Sequence, residues 1–225
     1  MTLVFVHGAG CTRDVFMHQT GAFPGSIALE LPGEEAGLER VEDFAAAVAD
    51  AVRDAGIRNA VLCGSSMGGA IALELALQRN ARVRALVLLG SGARLRVAPA
   101  ILEALEADFP SASRDFARRL FAEPAPGLVE TAVRMLERRG QRQTLADLRA
   151  CDAFDRVERL GEIRLPVLAL NGSLDTLTPP KYALLLGDRI SGAKVETVEH
   201  AGHLAMLERP RETNAALQAF LDSLA

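Results

Sequence analysis

Cysteine is scarce in this chain. Cys11, Cys63 and Cys151 are the only three among 225 residues, and their spacing is irregular. An odd, unpatterned set argues against a disulfide framework and fits a reducing, cytoplasmic setting. Charge of one sign is also lacking. Lysine and arginine number 25 against 29 acidic residues, for a net charge of −4, with no basic block. Nucleic acid is therefore not an expected partner. No apolar run approaches the roughly 20 residues needed to cross a bilayer. The opening Met-Thr-Leu-Val-Phe-Val-His has no basic region followed by a long apolar one, so neither a membrane partner nor a signal peptide is expected. There is no His-Glu-x-x-His and no Cys/His cluster. Gly8-Ala9-Gly10 lacks the spacing of a dinucleotide fingerprint, so neither a metal nor another cofactor is expected.

What the sequence does have is alternation. Short apolar runs suited to strands occur at Leu3–Val6, Ser26–Leu31, Ala60–Cys63, Ala85–Leu89, Val167–Leu170 and, in mixed form, Lys194–Val198. Compact apolar runs of this kind belong to strands covered on both faces. Helical patterns lie between them. Phe44, Val48 and Val52 recur every fourth residue before Gly56. Gly68–Gln78 is rich in Ala and Leu. Leu217, Phe220, Leu221 and Leu224 follow the i, i+3, i+4, i+7 rule behind Pro210. Strands alternating with helices predict an α/β fold with a doubly wound, mainly parallel sheet.

One stretch breaks the rhythm. Residues 93–159 contain no convincing strand, but four helix-like segments: Pro99–Asp108, Ser111–Ala122, Leu128–Arg139 and Thr144–Ala150, separated by Pro110, Pro124, Pro126 and Gly140. This reads as a helical cap inserted into a core made of residues 1–92 and 160–225.

Three short segments carry chemistry. Gly64-Ser65-Ser66-Met67-Gly68 is a G-x-S-x-G pattern lying between a strand run and a helix. A serine on so tight a strand-to-helix turn needs neighbours without side chains, and the following helix points its N-terminus at the site. As a bare pattern it is weak, because a Gly-Ser turn satisfies it. Its position between strand and helix strengthens it. A serine hydroxyl needs a base, and the base needs a partner that fixes its tautomer. The histidines are His7, His18, His200 and His203.

These segments resemble the α/β-hydrolase superfamily, and the resemblance runs from Leu3 to Leu224. It is closest to small capped, esterase-like members. It implies Ser66 as nucleophile, Asp175, just past the run Val167–Leu170, as the acid, and His203, preceded by Gly202, as the base. His7-Gly8-Ala9-Gly10 resembles the family's oxyanion turn, which implies the amides of Ala9 and Met67 as the two donors. His7 then shapes that turn, and His200 is a structural spare. Larger relatives have about two further strands before the first one here, so the resemblance implies six strands in the order 2-1-3-4-5-6. The loop Leu31–Gly37 departs from the usual D-x-P-G-x-G, with Glu30 near the place of the aspartate. The outer side of the second strand is an unpaired edge that a second copy of the chain could cover as a homodimer.

The implied activity is hydrolysis of carboxylic esters of a small-molecule substrate, with Phe109, Phe116, Leu120, Phe121 and Met135 of the cap lining an acyl pocket. Taken singly, each of these five is better explained by packing within the cap. The same triad also serves C–C bond hydrolysis or acyl transfer, and the same fold serves non-catalytic binding of small ligands.

Overall fold

The computed structural model describes residues 1–224. Six strands form one fully parallel sheet in the order β2-β1-β3-β4-β5-β6. In chain order the elements are β1 (Thr2–Val6), α1 (Met17–Ala22), β2 (Ile27–Leu29), α2 (Val41–Asp54), β3 (Ala60–Ser65), α3 (Met67–Leu77) and β4 (Val83–Leu89). Next come α4 (Pro99–Ala107), α5 (Phe109–Arg119), α6 (Pro126–Arg139), α7 (Gln141–Ala153) and β5 (Val167–Gly172). The chain finishes with α8 (Lys181–Arg189), β6 (Lys194–Val198), α9 (Ala205–Glu208) and α10 (Pro210–Asp222). The strand order is the one the sequence implies.

Side chains alternate across the central strands into two cores. Val4, Val6, Leu62, Leu86 and Leu88 face α2, α3 and α8. Leu3, Phe5, Val61, Cys63, Val87 and Leu89 face the other side, toward α9, α10 and part of the cap. Burial on both faces is why these strands are apolar throughout rather than at every second position. Helix α3 is buried along its whole length, from Met67 to Leu77, whereas α2 buries only Val41, Phe44, Ala45, Val48 and Val52. Gly56, at φ 71°, ends α2. Its N–H donates to Arg53 O at 2.9 Å, and the N–H of Ile57 donates to Val52 O at 3.1 Å. This paired closure needs a left-handed residue, and glycine takes that conformation without strain.

Helices α4–α7 leave the sheet after β4 and return before β5. The two ends of the insertion meet. Arg94 and Asp155 form an antiparallel bridge, and the N–H of Arg156 donates to Ala93 O at 2.7 Å. The helix boundaries differ from the sequence expectation at the prolines. Pro110 and Pro126 lie in the first turns of α5 and α6 rather than between helices. A first-turn amide has no intrahelical acceptor, so losing it there costs nothing. Asp108 caps α5 by accepting the Ser111 N–H at 3.2 Å. Strand β2 is shorter than Ser26–Leu31. It is an edge strand with one neighbour, and Leu31 turns away to donate its N–H to the His7 ring. Among the described residues no helix is long and apolar enough to cross a membrane.

Candidate active site

Ser66 sits between β3 and α3 with φ 52° and ψ −115°. Few non-glycine residues adopt such a backbone, and the surroundings must hold it there. Two hydrogen bonds do so: Ser66 N–H donates to Leu89 O at 2.9 Å, and Ser91 Oγ donates to Ser66 O at 2.7 Å. The flanking glycines have a steric cause. A Cβ on Gly64 would lie 2.1 Å from Gly68 O, and one on Gly68 would lie 2.0 Å from Val6 O. The turn closes only where the backbone is bare.

Asp175 follows β5 by three residues and is buried. Its Oδ1 accepts the N–H groups of Leu177 and Thr178, both at 2.9 Å. Its Oδ2 accepts the Thr178 hydroxyl at 2.8 Å and meets His203 Nδ1 at 2.9 Å. Burial alone pushes the Asp175 carboxyl up. The adjacent His203 ring and the hydrogen bonds from His203 and Thr178 outweigh burial and hold it below its ordinary value. His203, in the loop after β6, is likewise buried. With Nδ1 committed to the carboxylate, the neutral ring carries its proton there and leaves Nε2 as an acceptor.

Ser66 and His203 line one cleft that opens to solvent, together with Gly8 and Ala9. The Ser66 hydroxyl makes no direct hydrogen bond to the imidazole among the described residues. Such contacts commonly tighten only when substrate arrives. Met67 begins α3 directly after Ser66, with Ala9 across the same corner in the loop after β1. Ser66, Asp175, His203 and the loop 7–10 thus all stand at the C-terminal ends of strands, where open parallel sheets place their ligands.

His7 is fully buried. Its Nδ1–H donates to Gly8 O at 2.9 Å, while its Nε2 accepts the Leu31 N–H at 3.0 Å and lies 3.2 Å from Glu30 Oε1. It ties two loops together. His200 is exposed at φ 56°, and its N–H donates to Ser173 Oγ at 2.9 Å.

Of the five cap residues expected at the pocket, Phe116 and Leu120 line the cleft. Phe109, Phe121 and Met135 do not, which corrects that expectation. Phe121 and Met135 pack within the core shared by the cap and one face of the sheet, and half-buried Phe109 packs against it. Position is the reason: Phe116 and Leu120 lie four residues apart at the C-terminal end of α5, whereas Phe109 stands two turns earlier at its start, Phe121 follows its end and Met135 is carried by α6. Leu95, Val97, Ile101, Leu148 and Leu204 complete an apolar wall. Thr178, Gly90 and Ser91 were not foreseen as site residues. The spacing Asp-x-x-Thr, which lets a side chain three residues on bond back to the aspartate, is the signal for Thr178. Among the described residues, no group of three or more His, Cys, Asp or Glu side chains is placed to share a metal ion.

The chain is 30% identical to the pimeloyl-[acyl-carrier protein] methyl ester esterase of Neisseria meningitidis, over 96% of this chain and 91% of that protein. It is 25% identical to the AB hydrolase superfamily protein YisY of Bacillus subtilis, over 98% and 91%. The solved structure of a thermophilic esterase superposes with a TM-score of 0.88 at 30% identity, covering 99% of this chain and 90% of that one. Residues 3–216 match the family profile described as the alpha/beta hydrolase family, and the chain belongs to that family.

Proposed function

We propose that this protein is a serine esterase that cleaves carboxylic esters with an apolar acyl group through an acyl-enzyme on Ser66. One observation carries the reading: a serine held at φ 52° shares a cleft with a histidine whose Nδ1 is fixed to a buried carboxylate at 2.9 Å. Strain of this kind requires support from the surrounding structure, and a serine in an ordinary turn has no use for it.

In this mechanism His203 Nε2 takes the Ser66 proton as Oγ attacks the ester carbonyl carbon. The carbonyl π pair moves onto oxygen, and the amides of Ala9 and Met67 receive the oxyanion. Each such donor typically contributes about 10²- to 10³-fold in rate. Collapse breaks the bond to the alkoxy group, which leaves as the alcohol with the proton from His203. Water, deprotonated by His203, then attacks the acyl-enzyme, releases the acid and restores Ser66. Asp175 holds the ring and stabilises its protonated form without itself taking the proton.

The substrate class follows from the cleft walls. Leu95, Val97, Ile101, Phe116 and Leu148 favour an aliphatic or aromatic acyl chain, with Arg96 the one charged side chain along the lining among the described residues. The methyl ester named in the meningococcal relative supports an ester of a small alcohol.

The test is Ser66→Ala against the wild type, using short p-nitrophenyl esters, a fluorophosphonate label and intact-mass detection of the acylated protein. Hydrolysis, label and mass shift are all expected to vanish in the variant. Retention of labelling would overturn the proposal.

A further inference from the structure

The cap contains a buried ion pair that the mechanism above does not use. Arg139, the last residue of α6, meets Asp147 of α7 in a two-pronged contact, Nε to Oδ2 and Nη2 to Oδ1, both 2.9 Å. The side chains are 4% and 0% exposed. Such a pair loses the hydration of two ions, and apolar residues of similar volume are often as stable. Fold stability alone is therefore a poor reason for it.

Both partners reach outside the cap. Asp147 Oδ2 also accepts the Gly10 N–H at 3.2 Å, across 137 residues of sequence, and Asp147 Oδ1 accepts Gln143 Nε2 at 2.8 Å. Arg139 Nη1 donates to Leu31 O at 2.9 Å. The N–H of Leu31 in turn donates to Nε2 of His7. These bonds form a circuit: His7 to Leu31, Leu31 to Arg139, Arg139 to Asp147, and Asp147 to Gly10. It begins and ends in one loop, and Ala9 lies between its two ends. The packing agrees. Gly10 is left-handed at φ +66°, and a Cβ there would stand 2.6 Å from Leu136 Cδ2 and 3.2 Å from Thr144 Cγ2, both on cap helices.

We infer that Arg139 and Asp147 are positioning residues: they fix the loop 7–10 so that the Ala9 N–H points at the reacting carbonyl oxygen, and they thereby make oxyanion stabilisation depend on the cap being docked. This rests on the esterase reading of Ala9. A donor works only when preorganised toward the place where charge develops, so a loosened loop raises the barrier without weakening the apolar contacts that bind the acyl chain.

The decisive variant is the double substitution Arg139→Met with Asp147→Leu, which removes both charges together and strands neither. Its Tm is expected to fall, because the Gly10 N–H, the Leu31 carbonyl and Gln143 Nε2 lose their buried partners, so rates are read well below the midpoint, where the variant is folded. Its kcat on p-nitrophenyl butyrate is expected to fall about tenfold or more, a fraction of what losing one donor costs, with KM within about twofold. Affinity for an alkyl boronic acid, which forms a tetrahedral adduct on Ser66, should fall by the same factor as kcat/KM. An unchanged kcat, or a loss of rate that only follows a lower Tm, would overturn the inference. Should the double variant not fold, amide hydrogen exchange on the wild type decides. Gly10 N–H is expected to exchange at least about 100-fold more slowly than a free peptide amide. Exchange at the free rate would remove the clamp. Wild-type labelling by fluorophosphonate separates the two proposals. No labelling removes the esterase reading, whereas normal labelling beside an unchanged kcat in the double variant removes the clamp alone.

Discussion

The hydroxyl of Thr178 donates to the same carboxylate oxygen of Asp175 that receives the His203 ring, at 2.8 Å and 2.9 Å respectively. Thr178 Oγ1 also lies 3.1 Å from His203 Nδ1, so the three groups form a triangle. The hydroxyl fixes where Oδ2 stands, and Oδ2 fixes the ring. Thr178→Val keeps the volume and removes the hydroxyl. It is expected to lower kcat about tenfold through misorientation of the ring and to reduce stability by about 1–3 kcal/mol. Thr178→Ser should recover most of both. Wild-type kcat in the valine variant would contradict this role.

Gly90 faces the same pair from the end of β4. It is left-handed at φ +50°, and a Cβ there would lie 3.1 Å from His203 O and 3.2 Å from both Asp175 Oδ2 and His203 Nδ1. Gly90→Ala must strain the backbone and displace the carboxylate–imidazole pair. The expected outcome is a fall in kcat of about 10², the scale of a 1 Å misplacement, together with about 1–3 kcal/mol lost in chemical denaturation. Label incorporation at Ser66 should slow in parallel.

Acid stability gives a third prediction. The Asp175 carboxyl is held below its ordinary value, and Glu42 is pulled down to about 2, first by the hydrogen bond from Arg40 and then, against burial, by Arg156. A carboxyl whose folded value is depressed stabilises the protein fully above its unfolded value, about 4, and that contribution disappears as pH falls through the folded value. The denaturation midpoint should therefore be insensitive to these two groups from pH 7 to 5 and should drop below about pH 4. Asp175→Asn and Glu42→Gln should each flatten that drop when midpoints are measured against pH. Asp175→Asn should also reduce kcat by about 10⁴, because the ring then loses the acceptor that fixes its tautomer.

The thiols give a fourth. Cys11 and Cys151 both line the cleft, yet burial pushes the Cys11 thiol up to about 12 and Cys151 and Cys63 higher still. The thiolate is the nucleophile, so these thiols are inert near neutral pH. Native protein at pH 8 should take up no iodoacetamide and keep its ester hydrolysis, while unfolded protein should take up three equivalents. Rapid inactivation of the native protein would contradict the burial.

Much of the molecule is legible in the sequence for a definite reason. A parallel strand between helices must be apolar on both faces, so Leu3–Val6 or Val167–Leu170 declares itself without knowledge of its neighbours. The clash that Gly64 avoids is similarly local, since it lies four residues on at Gly68, whereas Gly68 is bare because Val6 O would stand 2.0 Å from its Cβ. Where the sequence falls short, the cause lies between distant segments. Gly64 looks like a turn residue, yet it continues β3, paired with Val6 and Leu88. Nothing near Gly90 records that Asp175 passes beside it, and nothing in α7 records that Asp147 ends at Gly10. Phe121 and Met135 look as suitable for a pocket as Phe116 does. Only where each side chain comes to lie against the sheet separates them.

The narrow neck at Ala93–Arg156 has a consequence for how such enzymes diversify. Because the chain leaves and rejoins the sheet through paired backbone at one point, the insertion can change in length without touching the strand ladder, provided the core it shares with one sheet face is refilled. A replacement lid could be grafted there without re-registering any strand. On the clamp inferred above, a graft that brought no acceptor to Gly10 would turn over more slowly, so new specificity at this scaffold comes with one inherited obligation.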